Sequence, residues 1–518
     1  MRLLLLASLP ILGCAHGPRA PPLTGWRELR STHFLLRTDL PEGSARTTLD
    51  KLEALRLWLQ AAWSTGGDSP GSSDAMVLDS GAELVGFTEM PGMATTTRRG
   101  PLLVAAGTDA VLFGDRSPGL PVLAHEVAHE LIRRRMPGAP RWFHEGLAGY
   151  LQTVTPLDDR TVRFGYVEAD RPPPKGGTLL EAMAEYRHKP EVTLAGTGLL
   201  FPRRLLSLDE TASRGWETAS EADLTDLYLS ARLWVYLLRT EEPGRMHALE
   251  RALAGDTPWR VAWAELRSGL DVARLTEKFW RLVQAGGWPS EVRMVDRTPP
   301  AEAAVVERTL PPWEVHLALA DLWTVAAAAQ GGEERTRAAR AELEAAARAA
   351  PDEASPQVRL AELETDPEAR LERAEVIARG HPDSPEAAVF LARVLRDDGR
   401  DRPGRARAIA RAVALAPEDP DALTAEAAQE ARAGDVPGAL RSARRAVTLA
   451  PWSPTAFRVL ANLLAATARC EEALDAAQRG LDVLPHRASP AELEALLATR
   501  ERIRTGCPTP RERVRPPG

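Results

Sequence analysis

Two histidines and two glutamates follow a pattern that predicts a catalytic metal site. Residues 125–129 read His-Glu-Val-Ala-His, and His125 and His129, four positions apart, share one face of a helix. Both imidazoles can bind one ion there, with Glu126 beside them. Glu145, sixteen residues after His129, would add a third ligand from a second helix. Three protein ligands with one position left for water are typical of catalytic zinc, whereas structural zinc sites are closed.

The residues around this motif favour a metal site over two structural histidines. Leu123 and Ala124 lead into it and Leu131 and Ile132 follow it, which indicates a mostly buried helix. Buried imidazoles and carboxylates are costly to desolvate without partners, and a metal ion would supply one. The alternative is a helix with one histidine satisfied in the core and the other at the surface.

The identity of the third ligand stays open at this point. Glu145 can also be read as an exposed charge in a first helical turn, where the helix dipole favours it. His144 points about a hundred degrees away from Glu145 around the helix, so we expect it behind the ligands or at the surface. The alternative is that His144 is the third ligand in place of Glu145. Pro140 suits the start of this helix. Three small residues are expected to let it approach the first helix closely: Gly146, Ala148 and Gly149.

The two ligand segments together resemble the gluzincin metallopeptidases. The match is to residues 125–129 and to residues 140–148, which read Pro-Arg-Trp-Phe-His-Glu-Gly-Leu-Ala. They are most similar to the peptidase MA-like group of bacterial envelope proteins, and residues 26–34 resemble the first strand of that group. The likeness covers about residues 26–288. It implies an α+β zincin-like domain, with a small mixed sheet and helices, that hydrolyses peptide or protein substrates.

The resemblance also implies roles for individual residues. His125, His129 and Glu145 would bind Zn2+, and Glu126 would be the general base. The chain departs from the family at position 144, where Asn is common, and its ligand spacing is shorter than in the thermolysin-like members. Neither departure removes a ligand, but both leave the identity of the third ligand open.

Two further expectations come from the same resemblance. Gluzincins often place a tyrosine after the ligands to stabilise the oxyanion, and Tyr228, in the helical segment 224–238, is the candidate; a tyrosine that only packs in the core is the alternative. The strand before the zinc helix is an edge in such peptidases and pairs with an extended substrate, which would give residues 101–105 that role.

The first residues have the composition of a secretory signal. Arg2 precedes an apolar run of about ten residues, too short for an ordinary membrane span. Ile-Leu-Gly-Cys at 11–14 resembles a bacterial lipobox, which implies cleavage before Cys14 and a lipid on its sulfur. The mature chain would then be held at a membrane, on the outer membrane facing the periplasm. A plain signal peptide with an incidental cysteine is the alternative.

Charge and cysteine content indicate which partners and which cross-links to expect. The net charge is −7, and the Arg133–Arg135 run suits a helix C-terminus, so the sequence predicts no nucleic-acid partner. Cys470 and Cys507 would form a disulfide in an oxidising compartment, or stay two free thiols.

A regular proline spacing sets apart the second half of the chain. Pro417, Pro451 and Pro485 fall 34 residues apart, and Pro382 lies 35 residues before the first of them. This is the tetratricopeptide period, which predicts an all-α solenoid whose concave surface binds a protein partner. An alanine-rich helical bundle is the alternative.

The sequence therefore predicts six segments. They are a signal peptide (1–13), a lipidated tether (14–25), a metallopeptidase-like domain (26–295), a linker (296–312), tetratricopeptide-like repeats (313–505) and a tail (506–518). The predicted function is zinc-dependent peptide hydrolysis. The alternatives are a catalytically silent scaffold of the cell envelope, and zinc-dependent hydrolysis of a bond other than a peptide.

Overall fold

The computed structural model describes most of the chain. The described residues are 23–63, 72–79, 92–97, 100–106, 112–113, 119–136, 138–158, 160–165, 221–255, 257–285, 290–295, 306–330, 332–398, 404–484 and 490–506. The predicted signal peptide, Cys14, the tail from residue 507 with Cys507, and residues 296–305 of the predicted linker lie outside them. In the described part, no helix is long and apolar enough to span a membrane.

Strands in the first half of the chain form two sheets. The strands are β1 (Arg27–Arg30), β2 (Phe34–Thr38), β3 (Ser73–Leu78), β4 (Gly92–Thr97), β5 (Gly100–Ala106), β6 (Thr155–Asp158), β7 (Thr161–Phe164), β8 (Glu291–Met294) and β9 (Val306–Thr309). A mixed six-stranded sheet has the order β4-β5-β3-β2-β1-β9, with β2, β3 and β5 parallel. A three-stranded antiparallel sheet has the order β6-β7-β8.

Seven helices accompany these strands in the part of the chain that the structure describes. They are α1 (Glu42–Trp63), α2 (Gly119–Arg135), α3 (Arg141–Leu151), α4 (Glu221–Glu241), α5 (Pro243–Ala254), α6 (Trp259–Arg267) and α7 (Val272–Ala285). Helix α1 is amphipathic: Leu49, Leu52, Leu55 and Leu59 recur at helical spacing and are all buried. These leucines share one core with α2, α3 and one face of the six-stranded sheet.

The strand expected to lie at the substrate edge is an interior strand. β5 pairs in parallel with β3 on one side and antiparallel with β4 on the other. The expectation for residues 101–105 was therefore wrong. The outer position at this end of the sheet belongs to β4, which the sequence did not mark as a strand.

The small residues of α3 face a different helix from the one expected. A Cβ at Gly146 would collide with the carbonyl oxygen of Ala231 and lie 2.9 Å from Val235 Cγ2, and both belong to α4. A Cβ at Gly149 would touch the Arg232 side chain of the same helix. These two glycines thus let α4, rather than α2, approach α3 closely.

The second half of the chain is a row of helix pairs. The helices are α8 (Pro312–Gln330), α9 (Glu333–Ala349), α10 (Ala354–Ala361), α11 (Pro367–Gly380), α12 (Pro385–Asp398), α13 (Arg405–Leu415), α14 (Pro420–Arg432), α15 (Val436–Leu449), α16 (Pro454–Ala466), α17 (Cys470–Asp482) and α18 (Pro490–Gly506). We call this row the repeat region. Neighbouring helices pack in succession, as in a helical solenoid, and the prediction of such a region is confirmed.

Local sequence explains where these helices begin and how closely they pack. Asp419 and Ser453 each precede a proline at the first helical position and accept hydrogen bonds from first-turn N–H groups. Small residues at four helix contacts are buried: Ala439, Ala446, Ala473 and Gly480. Arg405 is also buried, 3.7 Å from Asp398.

The boundary between the two halves differs from the predicted linker. β9 falls within residues 296–312 and pairs antiparallel with β1, so that this stretch completes the sheet. The next helix, α8, buries Val315 and Leu322 with Trp26 and Met76 against the other face of the sheet. The first helix of the repeat region is therefore also a layer of the N-terminal fold.

Candidate metal centre

The motif helix α2 is buried along the face that the sequence indicated. Leu123, Val127, Leu131 and Ile132 are all less than a tenth exposed. They fix α2 in the core and turn the histidines toward α3. The start of α3 lies at Pro140, whose carbonyl accepts the His144 N–H at 3.0 Å. The short connection between these helices sets the two ligand segments side by side.

The structure brings His125, His129 and Glu145 together. His129 Nε2 lies 3.0 Å from His125 Nε2 and 3.1 Å from Glu145 Oε2, and His125 Nε2 lies 3.6 Å from that same oxygen. Among the described residues these three form a group that could hold a metal ion. With zinc bonds of about 2.0–2.2 Å, neighbouring atoms of a tetrahedral ligand set lie about 3.3–3.5 Å apart. The three side chains thus fit a zinc ion.

The charges in this cluster favour a cation at its centre. Burial raises the pKa of Glu145, but the charges of His129 and His125 and their hydrogen bonds bring it well below its ordinary value. Burial lowers the pKa of His125, yet Glu145 and Glu126 raise it above the ordinary value. For His129 burial prevails and the pKa is lowered. These shifts favour the ionised form of Glu145 and a positive charge next to it.

His144 lies behind His129 and outside the ligand group. Its Nδ1 is 3.3 Å from His129 Nδ1, and the two rings stack with centroids 5.6 Å apart. Burial, and then the charges of His129 and Arg133, hold the pKa of His144 well below its ordinary value. Neutral His144 can accept the proton of His129 Nδ1–H, which leaves the His129 Nε2 lone pair directed at Glu145 and His125.

Gln152 is a further residue of this site, and the sequence analysis missed it. It follows the last turn of α3. Burial lowers the pKa of His125, and Gln152 is the last, after Glu145 and Glu126, of the groups that raise it, although His125 Nδ1 has no hydrogen-bond partner among the described residues. The signal was present in the spacing, because Gln152 lies seven positions after Glu145 and so two helical turns along the same face. Gln152 therefore lies near the His125 ring.

The two predicted catalytic residues have different standing in the structure. Glu126 is half-buried on α2, and its negative charge raises the pKa of both His125 and His129, so it lies within electrostatic reach of the ligands. Tyr228 belongs to α4, which packs on α3, but the position of its side chain lies outside the described residues.

Comparison with known proteins leaves the family of the chain unassigned. No family model matches the sequence, and no curated protein matches it. Among solved structures the chain is similar to the crystal structure of yeast Tom70, with 15% identity, over 63% of this chain and 72% of that chain, at a TM-score of 0.27. A TM-score of this size is too low to transfer a fold or a function.

Proposed function

We propose that this protein is a zinc metallopeptidase of the gluzincin type. The observation that carries the proposal is the convergence of His125, His129 and Glu145 within hydrogen-bonding distances, with Glu126 beside them. A mixed sheet with two ligand-bearing helices on one face supports a zincin-like fold. The repeat region supports a tetratricopeptide-like solenoid that binds a protein partner.

The chain's own residues divide the work of hydrolysis. When bound, zinc would polarise the scissile carbonyl and lower the pKa of a coordinated water to about 7. Glu126 takes the proton of the attacking water and passes it to the leaving amine. His144 orients His129 through the contact between their Nδ1 atoms, and Gln152 lies near His125. Tyr228 is the proposed donor to the oxyanion.

An extended substrate has an available partner in the sheet. Among the described residues, β4 is the last strand at its end of the six-stranded sheet, with β5 on its inner side. A peptide that added to the outer side of β4 would run along the sheet whose face carries α2. We propose this edge, in place of β5, as the position of the substrate backbone.

The proposed location is the cell envelope, through a lipid on Cys14. The disulfide bond of Cys470 supports an oxidising compartment. Membrane fractionation after expression with the native leader tests the anchor. We expect Cys14→Ser to move the protein from the membrane pellet to the soluble fraction.

The experiment that tests the enzyme begins with zinc content. We expect one zinc ion per purified chain, and a much weaker affinity in Glu145→Ala, while the exposed control Glu344→Gln binds zinc as the wild type does. Hydrolysis of dye-labelled casein should stop on chelation and return with zinc. A folded chain that binds no zinc would contradict the proposal. A chain that binds zinc but cleaves neither casein nor unfolded proteins would leave a silent scaffold, and esterase activity alone would indicate the third alternative.

A further inference from the structure

A groove runs across the inner face of the repeat region. It encloses about 540 Å³, within the range of about 300–1,000 Å³ that is usual for ligand sites. Its walls come from the first helices of four successive pairs, α8, α10, α12 and α14, with Trp452 at one end. The lining residues that matter here are Asp321, Thr324, Arg359, Glu362, Glu386, Val389, Phe390, Arg393, Asp419, Asp421 and Trp452.

Two arginines in this groove have their charges already neutralised. Arg359 lies on α10 and Arg393 on α12, the first helices of two consecutive pairs. Arg359 forms an ion pair with Asp321 of the preceding pair. Arg393 lies 2.8 Å from Glu362 and 3.5 Å from Asp421, on either side of it. These ion pairs tie neighbouring helix pairs together and leave neither guanidinium to attract an anion.

The remaining charge of the groove is negative. Five carboxylates line it against two guanidiniums, and a third guanidinium, that of Arg396, lies 3.6 Å from Asp421, which leaves an excess of two negative charges. Of these carboxylates, Glu386 helps to raise the pKa of Arg359, which shows that its field reaches the middle of the groove. In a concave surface with low-dielectric walls, such an excess concentrates a negative potential. The field attracts cationic side chains and repels acidic ones.

The apolar part of the groove suits the stems of the same side chains. Val389 and Phe390 form part of its floor, and the methylene chains of Lys and Arg pack well on such surfaces. Trp452 already has the guanidinium of Arg134 at 5.7 Å from its ring centroid, so this ring accepts a cation. Arg134 is in the last turn of α2, which places this end of the groove beside the motif helix.

We propose that this groove binds an extended segment of a partner protein that carries several lysines or arginines. Carboxylates along the walls pair with the cationic heads, and the apolar floor takes the stems. This inference does not depend on zinc or on peptidase activity.

Binding of two matched probes to the full chain tests the proposal. The first is a fluorescein-labelled decapeptide that alternates lysine and alanine, and the second has glutamate at each lysine position. We measure fluorescence anisotropy and verify by mass spectrometry that the probe stays intact. We expect the lysine probe alone to bind, and more weakly as salt screens the field.

Groove variants separate this site from general attraction to an acidic protein. Thr324→Arg adds a cation inside the groove, and Thr448→Arg is the matched control, since both threonines are exposed and bond the carbonyl four residues earlier. We expect Thr324→Arg to weaken lysine-probe binding about tenfold or more, and Thr448→Arg to change it less than about twofold. Glu386→Gln should weaken it a few-fold, and the exposed control Glu344→Gln should not.

Several results would overturn the proposal. They are no binding of the lysine probe up to about 1 mM, equal or tighter binding of the glutamate probe, and binding that Thr324→Arg leaves unchanged. Circular dichroism of each variant shows whether it is folded. If Thr324→Arg does not fold, Glu386→Gln, which adds no bulk, still tests the proposal.

Discussion

The candidate metal centre and the repeat region both hold charged side chains away from solvent. They differ in the sequence separation between each charged side chain and the group that neutralises it. Around the metal centre, Glu145 is compensated by two histidines less than 21 residues away, within 3.6 Å. In the repeat region, Arg359 and Arg393 are compensated by carboxylates of neighbouring helix pairs, such as Asp321, 38 residues away. The first arrangement concentrates charge at one point, as the proposed hydrolysis requires, and the second spreads it along a surface, as the proposed binding requires.

This difference predicts how each region responds to the loss of one group. At the candidate metal centre a single substitution would remove an essential part of the proposed reaction. In the repeat region each residue is one of several that share the task, so single changes have smaller effects. The following substitutions test this contrast, from the largest expected effect to the smallest.

Glu126→Gln should reduce hydrolysis by about 100-fold or more, because the amide cannot take the proton of the attacking water. Zinc content should stay at the wild-type value, since Glu126 lies beside the ligands and is not one of them. Initial rates on dye-labelled casein, with zinc measured on the same samples, decide the matter. An active Glu126→Gln enzyme would refute the mechanism and weaken the contrast.

Gly146→Ala should lower the free energy of unfolding by about 3 kcal/mol, because the added Cβ collides with the Ala231 backbone, which cannot rotate away. The control is Gly244→Ala on α5, where nothing lies within 4 Å, and its effect should stay within about 0.5 kcal/mol. Urea denaturation followed by tryptophan fluorescence measures both. Equal stabilities of the two variants would show that α3 and α4 are not closely packed.

Glu53→Gln should cost about 2 kcal/mol, because this buried carboxylate accepts hydrogen bonds from Ser31 Oγ at 2.6 Å and from the His33 N–H at 2.9 Å, and contacts His33 Nδ1. Burial raises its pKa, but these bonds bring it below the ordinary value. A lowered pKa contributes stability that is present above the unfolded-state pKa and is lost as the pH falls through the folded-state value.

Unfolding measured between pH 7 and pH 3 checks this pH dependence. The wild type should lose stability toward acid more steeply than Glu53→Gln. The exposed Glu42→Gln, on the same helix, is the control and should follow the wild type. Parallel curves for wild type and Glu53→Gln would contradict the assignment.

Gly480→Ala should change the free energy of unfolding by less than about 1 kcal/mol, although it also introduces a close contact. The nearest atom to its Cβ is Leu496 Cδ2 at 2.8 Å, the end of a flexible side chain. A small shift of Leu496 and the better helix propensity of alanine offset each other. The same urea assay gives the value, and a loss as large as that of Gly146→Ala would show that the repeat region packs as rigidly as the candidate metal centre.

Much of the candidate site was predictable because its signals are local. The histidine pair is fixed by helical spacing, and Pro140, the N-cap of α3, follows the last residue of α2, Arg135, by only five positions. Glu145 and His144 are neighbours in sequence, so the choice between them depended on the rotation of α3. That rotation is set by Gly146 and Gly149 against α4, a helix about 80 residues further along the chain.

The sheet was less predictable, since strand pairing depends on distant partners. β9 is short and polar. It forms a strand because its backbone pairs antiparallel with β1, some 280 residues earlier in the chain. Glu307 then pairs with Arg27 and Arg46. In the same way β5 is an interior strand only because β4 folds back on it.

The sequence by itself determined the helices of this protein, their beginnings, the 34-residue period and the residues able to hold zinc. Helical periodicity, capping and proline positions act over a few residues and can be read directly. Only the tertiary structure decided which glutamate or histidine faces the cluster, which strand lies at the edge, that α8 covers the sheet, and that charges from four helix pairs line one groove. Those outcomes depend on packing between residues far apart in the chain, where sterics and desolvation select among arrangements that the local sequence allows equally.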